Sequence, residues 1–339
     1  MKSGAEKDFP FWESAPFTTN NSFDTDSLAS ARRLALMHNG KSMEELRKNG
    51  IYKKTILEQI AYLKKLGLNI TNDDKAAEIL SDIGFYRLGF YLFPFEKRYP
   101  SKARRDHIFT EGSTLETVIR LYYFDFNLRH LLLKYISRIE IHLRTSIVNY
   151  MSAKHHNNDT WFVDNRIVSP SYCRSFDNIY DRVRLSPYIK WHHHNHHCKY
   201  APAWKTLEFM TIGEILDLYN AIYNVTSRLD ISKIYGIRSI KTFDNYITAV
   251  RRVRNRCAHG GVLFDYAANE ALTAKGPVDL ASIPDRTNLS GAVAVIKYLT
   301  GVVSKNRLAD LECELRELIN GCKDDKGVYT VIIIASGLE

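Results

Sequence analysis

The chain has 339 residues, 45% of them hydrophobic and 12% aromatic, which excludes global disorder and allows one large domain or two ordinary ones. Lys and Arg number 47 against 38 Asp and Glu, a formal charge of +9 that favours an anionic partner, nucleic acid being the commonest. Cys173, Cys198, Cys257, Cys313 and Cys322 are scattered and form no Cys-x-x-Cys pair, which argues against a disulfide scaffold or a cysteine-rich zinc module. The opening MKSGAEKDFPFWESAPF lacks the apolar centre of a secretory signal, and no apolar run is long enough for a bilayer. A cytoplasmic protein without membrane contact is expected.

Residues 1–50 are polar and irregular around one helical piece, SLASARRLALMHN, and read as an appended arm. TILEQIAYLKKLGL then places Ile56, Ile60, Leu63 and Leu66 at helical spacing, with Gly67 as the stop. Asn72 and Asp73 can cap a second helix, DDKAAEILSDIG, that ends at Gly84. The aromatic stretch FYRLGFYLFPFEKRYP, broken by Gly89, Pro94 and Pro100, predicts a loop or short strands packed on the core.

The clearest element spans 114–153. Leu121, Phe124, Leu128, Leu132, Tyr135, Ile139, Leu143, Ile147 and Tyr150 recur every three or four positions without Gly or Pro, which predicts one amphipathic helix of about ten turns. Residues 154–203 show little periodicity and read as a long connection with at most one short helix. AWKTLEFMTIGEILDLYNAIY and KTFDNYITAVRRVRNRCAH predict two further helices, and GAVAVIKYLTGVV and KNRLADLECELRELING a last pair. The tail GVYTVIIIASGLE fits a strand. The pattern predicts a mainly α fold: an arm over 1–50, a helical domain over 51–320 and a tail over 321–339.

The segment Arg251-Arg252-Val253-Arg254-Asn255-Arg256-Cys257-Ala258-His259-Gly260-Gly261 carries the most chemistry. At about 100° per residue, Phe243, Tyr246, Ile247, Val250, Val253 and Cys257 form an apolar stripe, and Arg254 falls inside it. A guanidinium on a buried face is costly unless it is paired or bound to an anion. Asn255 and His259 are four apart and share a face. His259 stands in the last turn, where backbone carbonyls favour a protonated imidazole, and two glycines follow it. Such a set suits RNA cleavage by the 2′-hydroxyl: a base takes its proton, an acid protonates the leaving oxygen, and a cation stabilises the phosphorane. No metal or other cofactor is required. Spacing alone is weak evidence, because Arg33 and His38 match it in the polar arm.

The segment resembles the Arg-Asn-x-x-x-His motif of HEPN ribonucleases, and the wider chain looks like the Abi family of abortive-infection proteins, AbiD/AbiF type. TILEQIAYLKKLGLNI, IGFYRLGFYLFPF, LYYFDFNLRHLLLKYISRIEIHLRT, APAWKTLEFMTIGEILDLY and VRRVRNRCAH carry the resemblance, over roughly residues 50–262. It implies a HEPN-like helical bundle, antiphage defence, action on RNA and association with a small non-coding RNA. It assigns Arg254 and His259 as catalytic residues, with Asn255 as their polar companion. HEPN nucleases usually build one site from two motifs. The single motif here therefore implies a homodimer. The family often continues with a further His and a basic residue, where this chain has Gly260-Gly261-Val262.

Other constellations have plainer readings beside the functional ones. Glu140 with Arg144, and Asp125 with Arg129, are i,i+4 pairs worth a few tenths of a kcal/mol each as surface contacts. Alternatively Glu140 or Asp125 is the buried partner of Arg254, Glu140 being favoured by the family signature. The segment Trp191–Cys198, WHHHNHHC, offers metal-ligand types, but consecutive residues cannot all face one ion. A solvated loop is expected, with phosphate contact by protonated imidazoles as a further option. Phe85, Tyr86, Phe90, Tyr91, Phe93 and Phe95 suit core packing, or base stacking beside Arg87. Lys97, Arg98, Lys102, Arg104 and Arg105 form a basic run suited to solvation or phosphate contact, as do Arg251, Arg252 and Arg256. Two functions follow: a metal-independent endoribonuclease acting as a dimer, or a non-catalytic RNA-binding protein that holds a structured non-coding RNA. Loss of cutting without loss of binding in His259→Ala separates them.

Overall fold

Short local signals set the first helices. The computed structural model describes residues 55–338 apart from 102 and 104. The predicted arm with Arg33 and His38 therefore lies outside the described residues, as do Lys102 and Arg104. Thr55 and Glu58 cap each other reciprocally at the start of α1 (Ile56–Lys65). Gly67, at φ +96°, turns the chain after it, as predicted. Asn72 accepts the Lys75 amide at 2.9 Å and opens α2 (Asp73–Asp82).

The aromatic stretch corrects the expectation of a loop or strands. It forms α3 (Phe85–Leu92) and a 3-10 turn over Phe93–Phe95. Leu88, Tyr91 and Leu92 share the buried face, and Pro94 sits at the start of the 3-10 turn, where its missing N–H costs nothing. The long helix is α4 (Leu115–Lys154), 40 residues and ~60 Å, capped by Thr114. Its predicted stripe is buried from Leu121 to Ile147, and three charged residues, Asp125, Arg129 and Arg144, are buried with it.

The connection after α4 holds two helices, α5 (Pro170–Val183) and α6 (Pro187–Asn195), where at most one was expected. Ser169-Pro170 and Ser186-Pro187 are start signals that periodicity alone passes over. Next come α7 (Ala203–Thr206), a 3-10 turn over Leu207–Phe209, and α8 (Ile212–Ala221). One continuous helix was expected here; the capping box of Thr211 and Glu214 starts a new one instead. The helix α9 (Val225–Ile234), capped by Asn224, has too weak an apolar stripe to be foreseen. Then follow α10 (Ile240–Ala258), an irregular stretch, α11 (Leu289–Val303) and α12 (Lys305–Asn320).

The tail forms a helix, α13 (Lys326–Ser336), and not a strand. A short β-branched run cannot be told from a buried helix by pattern, and Asp325, which accepts the Gly327 and Val328 amides, decides it. No strand occurs among the described residues, only isolated bridges, so the fold is mainly α. Helices α3 and α7 to α13 all pack on α4, which thereby fixes where each element's residues meet. Among the described residues no helix is long and apolar enough to cross a membrane.

Burial holds the imidazoles of His142, His155 and His192 below the usual histidine range. The unfolded chain protonates near pH 6.5, so it binds more protons there than the fold does. Stability is complete above about pH 6.5 and is lost as pH falls through the lower folded values. A thermal melt at about pH 5.5 should lie clearly below one at about pH 7.5; equal midpoints would contradict this reading.

Candidate functional site

The predicted stripe of α10 is buried: Phe243, Tyr246, Ile247, Val250, Val253 and Cys257 all face the core. Arg254 lies at the edge of that stripe and not inside it, with its side chain 28% exposed. Its aliphatic stem is covered while part of the guanidinium reaches solvent. Asn255 and His259 are exposed on the outer side of the last turns. Arg254 Nη1 donates to Asn255 Oδ1 at 3.4 Å, a long bond that leaves the amide free to turn.

Glu140 is the partner of Arg254, with Oε2 3.5 Å from Nε. Arg254 Nε is buried without a hydrogen-bond partner among the described residues, so Glu140 holds it by charge at a distance. Such a tether leaves the guanidinium able to shift towards an arriving anion. Glu140 is itself fixed. Its Oε1 accepts the Ile212 amide at 3.1 Å, at the start of α8, and lies 4.0 Å from Arg144. Arg144 donates to the Met210 carbonyl at 3.1 Å and pairs with Glu208 at 3.3 Å. Glu140 and Arg144 are thus no solvated surface pair; together they clamp the turn before α8 onto α4.

The helix end that carries His259 is built by the two glycines. Gly260 adopts φ +66°. The Gly261 amide donates to the Arg256 carbonyl at 2.7 Å, and the Gly260 amide to Cys257 at 3.3 Å, the paired bonds of a Schellman cap. Gly260→Ala should cost about 1 kcal/mol through left-handed strain and lower Tm by roughly 2–4 °C. An unchanged melt would show that the turn has another conformation.

Asp125 does not pair with Arg254. It is fully buried and serves the same turn from the other side. Its oxygens accept the amides of Leu263 at 2.8 Å and Phe264 at 2.6 Å and the Tyr91 hydroxyl at 2.8 Å, with Arg129 3.2 Å away. Arg129 Nη1 in turn donates to the carbonyls of Gly260 and Gly261, both at 3.2 Å. Burial pushes the Asp125 carboxyl above its usual range, against the pull of these donors. The same burial, together with Asp125, raises the Tyr91 phenol. Arg87 caps the group by donating to the Tyr91 hydroxyl at 3.3 Å. The two loop amides could not be found from sequence, because more than a hundred residues separate Asp125 from Leu263.

The remaining predicted contacts divide by their neighbours. Arg251 packs over Gly213, where an added Cβ would lie 3.6 Å from Arg251 Cδ. Arg252 faces Glu270 at 3.7 Å, and Arg256 lies over the Tyr266 ring at 5.2 Å. Arg98 pairs with Asp106 at 3.0 Å. Arg105 engages buried Glu96 through Nε and Nη2 and covers the Phe93 ring at 4.1 Å, whereas Lys97 is exposed. Tyr91, Phe93 and Phe95 are core residues, and Tyr86 and Phe90 are exposed. The His-rich segment is helical through Asn195 and not a loop, and His192 is buried. Among the described residues no group of three His, Cys, Asp or Glu could hold a metal ion.

A long central helix that braces an Arg-Asn-x-x-x-His helix end defines a mainly α protein with a candidate anion site. The model for the family Abi-like protein matches residues 78–265, more than half of the sequence, and the chain belongs to that family. The matched span runs from α2 to just past the Gly260-Gly261 turn, so it contains Glu140, Asp125, Arg254 and His259. No curated protein and no solved structure matches the chain.

Proposed function

We propose that this Abi-like protein is a HEPN-type endoribonuclease of antiphage defence, acting on RNA in the cytoplasm as a homodimer and without a metal. The observation that carries the reading is the tethering of Arg254 by Glu140 beside Asn255, one and a half turns before the exposed His259. Arg254 offers a phosphate the planar fork of guanidinium donors. In the proposed reaction the 2′-oxygen gives its proton to a base and attacks the adjacent phosphorus. The bond from phosphorus to the 5′-oxygen then breaks, and that oxygen takes a proton from an acid. His259 of one chain serves as base and His259 of a second copy as acid, while Arg254 stabilises the phosphorane. The products are a 2′,3′-cyclic phosphate and a 5′-hydroxyl.

The test is end analysis of RNA incubated with the protein in EDTA. Cyclic phosphate ends that vanish in His259→Ala support the reading; 3′-hydroxyl ends, or cutting that persists in the variant, count against it. A second reading, an RNA holder that does not cut, is favoured by one observation: among the described residues nothing hydrogen-bonds the His259 imidazole to orient it. Intact RNA of one length copurifying with wild type would select it.

A further inference from the structure

The His-rich helix α6 plays no part in the site above, yet it and its neighbours expose large aromatic rings. Tyr188 is 75% exposed, Trp191 63% and Trp204 50%. Single exposed rings are ordinary, but a group of them marks a binding surface. Tyr188 lies nearly parallel to Phe209, with ring centres 6.1 Å apart and 17° between planes. The Lys205 ammonium lies 5.8 Å from the Trp191 ring centre and donates to His192 Nδ1 at 3.3 Å.

Charge distinguishes the possible occupants. The acidic groups here are already engaged: Asp181 by Arg184 at 3.3 Å, Glu208 by Arg144 at 3.3 Å and Glu214 by Arg182 at 2.5 Å. Lys190 and Lys205 have no carboxylate partner among the described residues, so the surface carries uncompensated positive charge. Rings beside free cations match bases beside phosphates.

Position links this surface to the candidate site. Arg144 grips Glu208 and Met210 on either side of Phe209. Three residues after Phe209, the Ile212 amide donates to Glu140, the carboxylate that holds Arg254. The Tyr188–Phe209 stack and Arg254 are thus anchored to one rigid turn.

We propose that Tyr188, Phe209 and Trp191, with Lys190 and Lys205, form a stacking subsite for unpaired bases of the RNA strand that reaches Arg254. This rests on the reading of the protein as RNA-directed. Every base has a π face, so the subsite selects single-stranded RNA over duplex and discriminates little between sequences.

The test uses the full chain carrying His259→Ala, to prevent cutting, and a fluorescent oligouridine of about 12 nucleotides at low salt. Tyr188→Ala/Trp191→Ala should weaken binding at least about tenfold. Tyr223→Ala, which removes an exposed ring elsewhere, should leave it unchanged. Both target rings are exposed, so the variants should keep the parent Tm. Thiouridine crosslinking should attach the RNA to the peptide holding Tyr188 and Trp191. Unchanged affinity in the double variant overturns the subsite and leaves the RNA reading standing. Failure of the parent to bind any RNA overturns both. Unchanged affinity with an altered oligomeric mass identifies the surface as a protein interface and also overturns the proposal.

Discussion

Under the proposed mechanism, Arg254→Ala should lower the rate of RNA cleavage by about 10²–10³-fold, because the developing phosphorane loses its cation. His259→Ala should cost about 10²–10⁴-fold through lost proton transfer. Glu140→Gln separates holding from chemistry. The amide can still accept the Ile212 N–H, but the charge that tethers Arg254 is gone. Its loss should be smaller, on the order of tenfold, and should shrink as ionic strength rises, because salt screens the same tether in wild type. Lys in place of Arg254 should rescue poorly, since a point charge lacks the planar fork that meets two phosphate oxygens. Full activity in Arg254→Ala would remove the guanidinium from the mechanism.

Asp125→Ala should give the largest stability loss of any single change at the site, about 3–5 kcal/mol. The substitution leaves Arg129 buried without its counter-charge and strips the acceptor from the Leu263 and Phe264 amides. A melt should drop by on the order of 10 °C. Asp125→Leu combined with Arg129→Met removes both charges and should recover part of the loss, since the uncompensated guanidinium goes with them. Recovery should stay partial, because the carbonyls of Gly260 and Gly261 lose their donor. Cleavage should remain low in the double variant, as the turn behind His259 is no longer braced. A melt within about 1 kcal/mol of wild type for Asp125→Ala would show that the buried pair does not hold this turn.

The two carboxylates of α4 show where reading a sequence succeeds and where it stops. Both pairs, Glu140 with Arg144 and Asp125 with Arg129, are legible as i,i+4 neighbours. Their energetic standing is not, because spacing says nothing of burial: one pair braces the turn before α8 and the other the turn after α10. The family resemblance favours Glu140 over Asp125 as the partner of Arg254, and Glu140 Oε2 lies 3.5 Å from Arg254 Nε. The placement of Arg254 on a buried face was too strict, because 100° per residue resolves a face only coarsely and a long side chain can leave an edge.

Elements of strong period or clear caps were set by the residues alone: the α4 stripe, the Asn72 cap and the Gly260-Gly261 stop. In these the period, the cap and the stop agree with the packing that the fold supplies, so local and tertiary preferences do not conflict. The aromatic stretch of α3, the broken helix at Thr211 and the tail helix α13 were settled only by the fold, since short apolar runs are nearly degenerate between helix and strand and packing on α4 tips the balance. The same holds for the site. Arg254, Asn255 and His259 lie within six residues and could be named from the chain, whereas Glu140, the Asp125–Arg129 brace and Tyr91 act from far along it. Contacts across a hundred residues exist only once burial has closed the loops between them.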